Sequence, residues 1–543
     1  DIRQALGLDD TIFEFEITSN RPDCFSVIGL SREVSATFDK LLRLHTPAVK
    51  AGNGNCEELL KVSVEVPELC PFYSARIVKN VQIKESPRWL CDRLRSMGIR
   101  PINNIVDITN YVLLEYGQPM HAFDLRAIEN GTITVRRANE AETITTLDGV
   151  ERTLTSSNLV IADSKKPLAI AGVMGGEGSG INTDTTTIVF ESANFSGSSV
   201  RMTAKSQGMR TDASSRYEKG LDPNNCIPAL QRACELIELL DAGDVLDGTV
   251  IVDYSKKQQR MIPLEPEWIN RFLNTSLSRE EMKKILKKIG CQFEENNIVV
   301  PSFRPDLVHK ADIAEEIARF YGYNNITSTP LIGVAEGKYS DRQKFDTAVS
   351  QTMFSLGLSE IMTYSFIGQK DYDKVLIPQN HALRNSIVIS NPLGEDSSIM
   401  RTTTLPSMME ALSKNYNNRN ETACLFEIAK EYHPTNDGKL PKEKSKLTAG
   451  LYGKEIDFFY VKGIAEELLE KISVAQYEVE ATDKEYSFHP GRCAVFTVNG
   501  ETLGVVGEIH PSVCDNYGIE GRAYAILFDM EIMHQNSQKE KVY

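Results

Sequence analysis

The sequence of 543 residues lacks any long apolar run. No stretch approaches 18 uncharged apolar residues, which excludes a membrane-spanning helix. The ten cysteines stand singly, without a Cys-x-x-Cys pair, so the sequence predicts reduced thiols in the cytoplasm rather than a zinc site or a disulfide framework. The amino end has neither a basic start nor an apolar stretch, so no secretory signal is predicted. An initial methionine is also missing, which indicates a fragment or a trimmed chain.

Positive charge is in short supply as well. The chain has 60 Lys and Arg against 75 Asp and Glu, a formal net charge of −15. A protein held to nucleic acid by a global positive field would be basic instead. Residues 201–220 are a local exception, with five Lys or Arg against two acids. Two interpretations of this segment remain, a solvated surface loop, which charge alone favours, and an RNA contact.

The familiar catalytic motifs are absent too. The glycine-rich stretch 171–180 (AGVMGGEGSG) lacks the Gly-Lys-Ser/Thr ending of a phosphate-binding loop. It predicts either a set of tight turns or a place where backbone N–H groups closely approach a ligand. No His-Glu-x-x-His motif and no Gly-x-Ser-x-Gly motif occurs. Hydrolytic chemistry, if present, must come from a less familiar arrangement.

The length predicts three to four domains. Alternating apolar residues over 11–18 (TIFEFEIT) predict a strand, and a helix follows over 26–38, which together form a small module over 1–45. Residues 46–69 read as a linker with one strand. Residues 70–255 mix helices with short β runs, which is typical of an α+β domain.

The second half continues the α+β pattern. Residues 256–330 form a helix-rich module, with a capping box at Ser278 and Glu281. A linker is predicted over 331–341. From 342 to 535 helices mix with strands again, and Asn499-Gly500 predicts a hairpin. The fold class is therefore multidomain α+β.

Two segments of the chain resemble each other. Residues 20–33 (NRPDCFSVIGLSRE) and 303–316 (FRPDLVHKADIAEE) both place Arg-Pro-Asp before a helix, with a glutamate at the same distance. This frame predicts two copies of one small module. The second copy also carries acids on one helix face. Their spacing fits either Mg²⁺ ligands or helix-capping groups, and the acids are Asp306, Asp312, Glu315 and Glu316.

Residues 98–124 (GIRPINNIVDITNYVLLEYGQPMHAFD) spread polar groups between apolar runs, a pattern that indicates a pocket wall. The polar groups include Arg100, Thr109 and His121. The alternative for His121 is a structural histidine whose ring nitrogens are satisfied inside the core.

At this stretch the sequence resembles a known family. Residues 98–124, with 171–180, 191–195 (ESANF) and 210–223 (RTDASSRYEKGLDP), are similar to the editing domain of phenylalanine–tRNA ligase beta subunits. Further segments resemble other modules of that family in the same order, over essentially the whole chain; they are 18–33, 302–326 and 391–428. The resemblance implies attachment of phenylalanine to its tRNA with ATP, and hydrolysis of mischarged tyrosyl-tRNA by this chain. The alternative is a non-enzymatic RNA-binding or assembly scaffold with an inert editing fold.

The resemblance also implies roles for single residues. Glu191 is similar to the glutamate that recognises the hydroxyl of misattached tyrosine. Positions that hold the terminal adenosine of the tRNA and the attacking water match Arg100, Thr109 and His121. Pocket-wall and backbone-contact positions match Gly175, Thr211 and Ala213. No matched residue is an obvious covalent nucleophile, so water is the expected attacker.

Metal and partners follow from the resemblance as well. Asp306, Asp312, Glu315 and Glu316 match magnesium ligands of a structural site. The expected partners are tRNA for phenylalanine and an alpha subunit that binds ATP, in an assembly of two alpha and two beta chains without a membrane. Compared with the family, an amino-terminal oligonucleotide-binding module and a carboxy-terminal anticodon-binding domain are expected to be missing.

Residues 342–535 resemble a class II synthetase domain that has lost its ATP-binding motifs. Arg401 and Arg492 are the candidates for contacts with the ATP phosphates, but they are scattered and do not form the paired motifs of the family. The helical spacing of apolar residues in this domain fits either ordinary core or a subunit interface, and the residues are Leu405, Met408, Met409 and Leu412.

Overall fold

The structure, a computed structural model, describes residues 2, 9–50, 52, 54–255, 259–329, 333, 337–435, 438–474 and 476–537. The chain divides into two units, Asp1–Leu331 and Ile332–Tyr543. The predicted linker 331–341 includes residues outside the described part of the chain. Each unit contains helices and sheets, so the predicted multidomain α+β class is confirmed. Among the described residues, every helix is too short or too polar to cross a membrane.

The first module contains the predicted helix but not the predicted strand. Helix α1 spans Val27–Phe38 and begins at Ser26, whose hydroxyl accepts the Gly29 N–H at 2.9 Å. The strand predicted over 11–18 is wrong, because residues 9–18 are irregular in the structure. Phe13 and Phe15 are 75% and 56% exposed. Alternation alone cannot form a strand, since the segment pairs with no described strand to complete a hydrogen-bonded ladder.

The rest of the first unit contains nine more helices and fifteen strands among its described residues. The helices are α2 Cys56–Leu59, α3 Arg88–Ser96, α4 Asn104–Tyr116, α5 Gly197–Ser206, α6 Asp212–Tyr217, α7 Cys226–Leu239, α8 Pro266–Leu273, α9 Arg279–Lys288 and α10 Lys310–Tyr321. The strands are β1 Lys61–Val64, β2 Phe72–Lys79, β3 Met120–Asp124, β4 Thr132–Arg137, β5 Thr143–Thr145, β6 Glu151–Thr153, β7 Leu159–Ala162, β8 Pro167–Ile170, β9 Met174–Gly175, β10 Ile188–Asn194, β11 Asp244–Val245, β12 Val250–Asp253, β13 Met261–Pro263, β14 Gln292–Glu294 and β15 Asn297–Val299.

Two sheets form the middle of this unit. One has the order β11-β2-β10-β3, with β12 also paired to β2, and the other has the order β1-β4-β7-β8-β9. A buried core fills the space between the two sheets. The other face of the first sheet packs against α3, α4 and α7. Because both faces of this sheet are covered, β2 and β10 are buried along almost their whole length, including their polar residues.

The predicted linker over 46–69 is only partly correct. Residues 51 and 53 lie outside the described part, but Cys56 and Leu60 are buried in the core between the sheets. Lys61–Val64 pairs in parallel with β4. The mixed domain therefore begins near Cys56, since these apolar side chains complete its core.

The second small module joins three helices to the sheet β13-β15-β14. The predicted capping box is confirmed, because the Ser278 N–H donates to Glu281 Oε2 at 2.7 Å and the Glu281 N–H donates to Ser278 Oγ. Helices α8, α9 and α10 bury one apolar face each around Ile269, Leu286 and Ile313.

The two similar segments share a network of charges. Arg21 binds Asp23 and Glu33, at 2.8 and 2.6 Å. Arg304 binds its counterparts Asp306 and Glu316, at 2.7 and 3.0 Å. The Arg-Pro-Asp motif thus closes onto a glutamate ten positions after the aspartate in both copies. This common geometry supports the predicted duplication.

The second unit is built on one large sheet. Its helices are α11 Asp341–Ser355, α12 Lys370–Lys374, α13 Leu405–Asn417, α14 Phe458–Lys471, α15 Pro511–Asn516 and α16 Met530–Asn536. Its strands are β16 Ser359–Glu360, β17 Phe366–Ile367, β18 Ile399–Met400, β19 Ala423–His433, β20 Lys442–Tyr452, β21 Tyr477–Ala481, β22 Phe488–Val498, β23 Glu501–Ile509 and β24 Ala523–Asp529. Seven of these strands pair in the order β16-β19-β20-β24-β23-β22-β21, antiparallel except at β16.

Two expectations for the second unit have clear outcomes. The hairpin at Asn499-Gly500 is confirmed, with φ of 50° and 79° at the two turn residues joining β22 to β23. The apolar residues of α13 are core rather than subunit interface. Leu405 is 2% exposed and Met408, Met409 and Leu412 are fully buried.

Candidate active site

A cavity of about 280 Å³ opens in the mixed domain. Its walls come from both sheets and from two helices, since β3 and β10 of one sheet face β7, β8 and β9 of the other, and α4 and α6 close the sides. The cavity therefore lies where the two sheets separate, at the edge of the core between them.

Six of the seven pocket residues implied by the resemblance line this cavity. They come from separate parts of the chain and are Thr109, His121, Gly175, Glu191, Thr211 and Ala213. Arg100 does not line it; this residue is exposed on the segment between α3 and α4. Its expected contact with the tRNA end would have to lie outside the cavity.

Glu191 occupies the centre of a sheet. It lies on β10 with Ala75 of β2 on one side and His121 of β3 on the other. The side chain is buried, and its Oε2 has no hydrogen-bond partner among the described residues. Burial raises the pKa of Glu191 to about 8, and the neighbouring Tyr73 hydroxyl limits this rise. An unpaired buried carboxyl group is costly, so it is poised to accept a ligand hydrogen bond.

His121 lies beside Glu191 and is also incompletely satisfied. Its Nε2 is buried without a partner among the described residues, and its ring packs edge-on against Phe123 at 4.5 Å. Burial lowers the pKa of His121 to about 4, so the imidazole is neutral at pH 7. The interpretation of His121 as a satisfied structural histidine is not supported. A neutral ring nitrogen facing a cavity can hold a water molecule.

Gly175 allows the two sheets to meet at His121. A Cβ atom at this position would lie 2.5 Å from His121 Cε1 and 2.9 Å from its Nε2. The glycine-rich stretch also contains a tight turn, since Gly172 has φ of 69°. The tight-turn interpretation of residues 171–180 is therefore confirmed at Gly172, and Gly175 allows close approach to a pocket side chain. The approach of backbone N–H groups to a ligand stays a prediction.

Two threonines shape the walls. Thr211 donates its hydroxyl to the Val173 carbonyl at 2.9 Å and accepts the Ser214 N–H at 3.0 Å, which caps α6. This hydroxyl is committed to structure and fixes the wall that carries Ala213. Thr109 donates to the Val106 carbonyl at 2.7 Å within α4, and its oxygen can still accept a hydrogen bond from a ligand or water.

Tyr73 is a residue that sequence reasoning missed. It is fully buried on β2, and its hydroxyl has no hydrogen-bond partner among the described residues. Burial raises its pKa well above the usual range, and the nearby Glu191 carboxylate adds to this effect. The signal in the sequence was weak, because a tyrosine in the buried run FYSARIVK is more often ordinary core.

Three of the four predicted magnesium ligands are engaged by other groups of the protein. Among the described residues, no three of the four bring ligand atoms within 4.8 Å of one another. Asp306 and Glu316 are both bound by the buried Arg304. Asp312 accepts the N–H groups of Val308 and His309, at 2.8 and 2.6 Å, and Glu315 is exposed. The capping interpretation is therefore correct for Asp312, and the four-carboxylate magnesium site stays a prediction.

Comparisons with known proteins agree with this domain order. Three family descriptions match the chain: a B3/4 domain over residues 69–242, a tRNA synthetase B5 domain over 262–323, and a phenylalanyl tRNA synthetase beta chain CLM domain over 326–530. The B3/4 match spans every residue that lines the cavity. Fold and site thus define a subunit of an aminoacyl-tRNA synthetase.

Curated relatives narrow this class further. The chain is 44% identical to the phenylalanine–tRNA ligase beta subunit of Clostridium acetobutylicum, over 100% of this chain and 69% of the relative. It is 45% identical to that of Clostridium tetani over the same shares, and 37% identical to that of Bacillus cereus over 94% and 65%. The chain belongs to the family of phenylalanine–tRNA ligase beta subunits.

Proposed function

We propose that the cavity in the mixed domain hydrolyses tyrosine from mischarged phenylalanine tRNA. The observation that carries this proposal is the buried Glu191 carboxyl group, which lines the cavity and whose Oε2 has no partner among the described residues. Tyrosine differs from phenylalanine by one hydroxyl. That hydroxyl is the group that would satisfy Glu191.

The proposed editing cavity selects tyrosine over phenylalanine, the opposite of the selectivity of the pocket that charges the tRNA. An apolar pocket built for phenylalanine rejects an added hydroxyl only weakly, so some tyrosine is expected to be attached. A second pocket with a buried carboxyl group rejects phenylalanine, because bound phenylalanine leaves Glu191 desolvated and unpaired. The penalty is on the order of 1–3 kcal/mol, and more for a charged group. Correctly charged tRNA is thereby protected from hydrolysis.

The attacking group is water. No Ser, Cys or Lys belongs to the described lining of the cavity, and the Thr211 hydroxyl is used to cap α6. In this proposal, the neutral His121 Nε2 and the Thr109 oxygen, which both line the cavity, accept hydrogen bonds from a water molecule that attacks the ester carbonyl. Arg100, outside the cavity, would contact the terminal adenosine.

The direct test is hydrolysis of the two charged tRNAs by the complete enzyme. We expect tyrosine attached to phenylalanine tRNA to be released at least about 100-fold faster than phenylalanine, since a site built around a hydroxyl strongly rejects the analogue that lacks it. Equal release of the two amino acids, at the uncatalysed rate, would instead favour the scaffold alternative, with an inert editing fold.

The large sheet domain is proposed to be catalytically silent. Arg401 is buried and spends its guanidinium on the Thr363 hydroxyl, the Lys430 carbonyl and other internal groups, and Arg492 pairs with Glu508 at 2.9 Å. Neither arginine is free to stabilise reacting phosphates. ATP, phenylalanine and the Mg²⁺ that accompanies ATP are therefore assigned to an alpha subunit, in an assembly of two alpha and two beta chains. The ten unpaired cysteines favour a reducing, cytoplasmic setting.

We therefore expect no phenylalanine-dependent ATP–pyrophosphate exchange from purified beta subunit. Exchange should require alpha, and the mixture should be active. Activation needs cations fixed around the phosphates, and both candidate arginines of this domain, Arg401 and Arg492, are already engaged by groups of the chain. Robust exchange by beta alone would contradict the assignment of this domain.

A further inference from the structure

A basic groove borders the candidate active site. It has a volume of about 610 Å³, runs along α5 and the start of α6, and is also lined by Ser19. Its cationic side chains are Arg201, Lys205, Arg210 and Lys219. We call this surface the basic groove.

Three of its cations have no acidic partner in the described part of the chain. The ion pairs that the structure gives within 201–220 join Arg216 to Asp212 and Lys219 to Glu218. Arg201, Lys205 and Arg210 are exposed. In a chain with a net charge of −15, an unpaired concave cluster of this kind is a specific local feature.

The basic groove and the cavity share one wall. Arg210 and Ser214 line the groove, whereas Thr211 and Ala213, between them in sequence, line the cavity. The turn that enters α6 therefore has one surface in each site. Arg201 and Lys205 lie four residues apart on α5, which places them on the same helix face and extends the positive surface away from this turn.

We propose that the basic groove holds the backbone phosphates of the single-stranded 3′ end of tRNA while the amino acid esterified to its last nucleotide occupies the cavity. The proposal rests on the proposed function and adds the surface that positions the substrate. Lys and Arg contacts to phosphates fix the position of a strand without reading its sequence. A protein partner is less well matched, because the groove lining lacks the aromatic anchors of a protein interface.

The test uses the complete enzyme with Arg201→Gln, Lys205→Gln and Arg210→Gln combined. We expect the KM for hydrolysis of tyrosyl-tRNA to rise at least about tenfold, with kcat changed less than about twofold. The slope of log(kcat/KM) against log[salt] should become shallower by about 2, since each lost single-strand phosphate contact removes about 0.7. A tyrosyl ester of adenosine lacks these phosphates, so the triple variant should hydrolyse it at the same rate as the unaltered enzyme does.

The matched control is Lys61→Gln. Lys61 is exposed on β1, at the opposite edge of its sheet from β9, where the cavity lies. The Lys61→Gln substitution removes one positive charge from the same domain and should leave KM and the salt slope unchanged. A rise in KM with Lys61→Gln similar to that of the triple variant would mean that overall charge, not the basic groove, sets the affinity.

Binding without hydrolysis separates this proposal from the proposed function. Fluorescence anisotropy with a labelled RNA of the acceptor end, carrying no amino acid, measures the affinity of the enzyme for this RNA directly. If the unaltered enzyme does not hydrolyse tyrosyl-tRNA but the triple variant still loses affinity for this RNA, the editing function fails and the basic groove stands. If hydrolysis occurs while KM, salt slope and RNA affinity are all unchanged in the triple variant, the basic groove does not hold the tRNA end.

Discussion

Replacing Glu191 by alanine should make the complete enzyme nearly unable to distinguish tyrosyl-tRNA from phenylalanyl-tRNA during hydrolysis. The buried carboxyl group is the one cavity feature that rewards a phenolic hydroxyl, and its Oε2 has no other partner among the described residues. Losing this hydrogen bond costs about 1–3 kcal/mol, which corresponds to a roughly 5- to 150-fold lower kcat/KM for tyrosyl-tRNA. Hydrolysis of phenylalanyl-tRNA should rise, because no unpaired carboxylate penalises it. Both rates are measured by release of radiolabelled amino acid.

The discrimination should also depend on pH. Because burial raises the pKa of Glu191 to about 8, the carboxylate fraction increases between pH 7 and pH 9. The ionised form accepts the phenolic hydroxyl and most strongly rejects phenylalanine, so the ratio of the two rates should rise through this window. His121 contributes no titration there, since its pKa is lowered to about 4. The ratio is the correct measure, because the uncatalysed hydrolysis of both esters rises with pH.

Two further variants complete this test. Glu191→Gln keeps an acceptor oxygen but cannot ionise, so it should retain part of the discrimination and lose its pH dependence. Ser192→Ala alters the next residue on β10, which is buried but does not line the cavity, and should leave both rates unchanged. Unaltered discrimination in Glu191→Ala, with phenylalanine charging intact, would show that Glu191 does not read the hydroxyl.

Replacing Gly175 by alanine should have an effect of similar size through geometry alone. The added Cβ would lie 2.5 Å from His121 Cε1, and Phe123 packs against the same ring. The imidazole must therefore move, and a displacement of about 1 Å at a reacting centre can cost about 100-fold in rate. We expect kcat for hydrolysis of tyrosyl-tRNA to fall by roughly this factor, while charging with phenylalanine continues.

Gly178→Ala is the matched control in the same glycine-rich stretch. A Cβ at Gly178 would meet only the flexible end of Lys166, at 3.9 Å. Hydrolysis by this variant should equal that of the unaltered enzyme. If Gly175→Ala folds normally and hydrolyses tyrosyl-tRNA at full rate, His121 is not placed as the structure indicates.

Sequence patterns predicted best where local and tertiary requirements coincide. The hairpin at Asn499-Gly500 and the helix that begins at Ser278 were predictable, because the same few residues determine and satisfy their backbone geometry. The strand expected over 11–18 failed for the opposite reason. Alternation of Phe13 and Phe15 with charged residues describes one face of a strand, but only a neighbouring strand can pair its backbone.

The candidate site shows the same division. The resemblance predicted that Glu191, His121 and Gly175 belong to one pocket. Spacing alone did not reveal that Gly175 lies against His121, 54 positions earlier in the chain. The spacing of the acidic set fixes a helix face but does not reveal which groups lie against that face. Arg304 is 1% exposed between Asp306 and Glu316, and its burial turns two expected metal ligands into partners of a guanidinium group.

The most direct measurement is a crystal structure of the complete enzyme with a non-hydrolysable analogue in which tyrosine is joined to the 3′ amino group of adenosine. The account predicts that the analogue occupies the cavity of the mixed domain, with its phenolic oxygen at hydrogen-bonding distance from the Glu191 carboxyl group. The carbonyl carbon should lie beside His121 Nε2, with a water molecule between them. A phenolic ring that points away from Glu191, or an analogue bound elsewhere while this cavity stays empty, would contradict it.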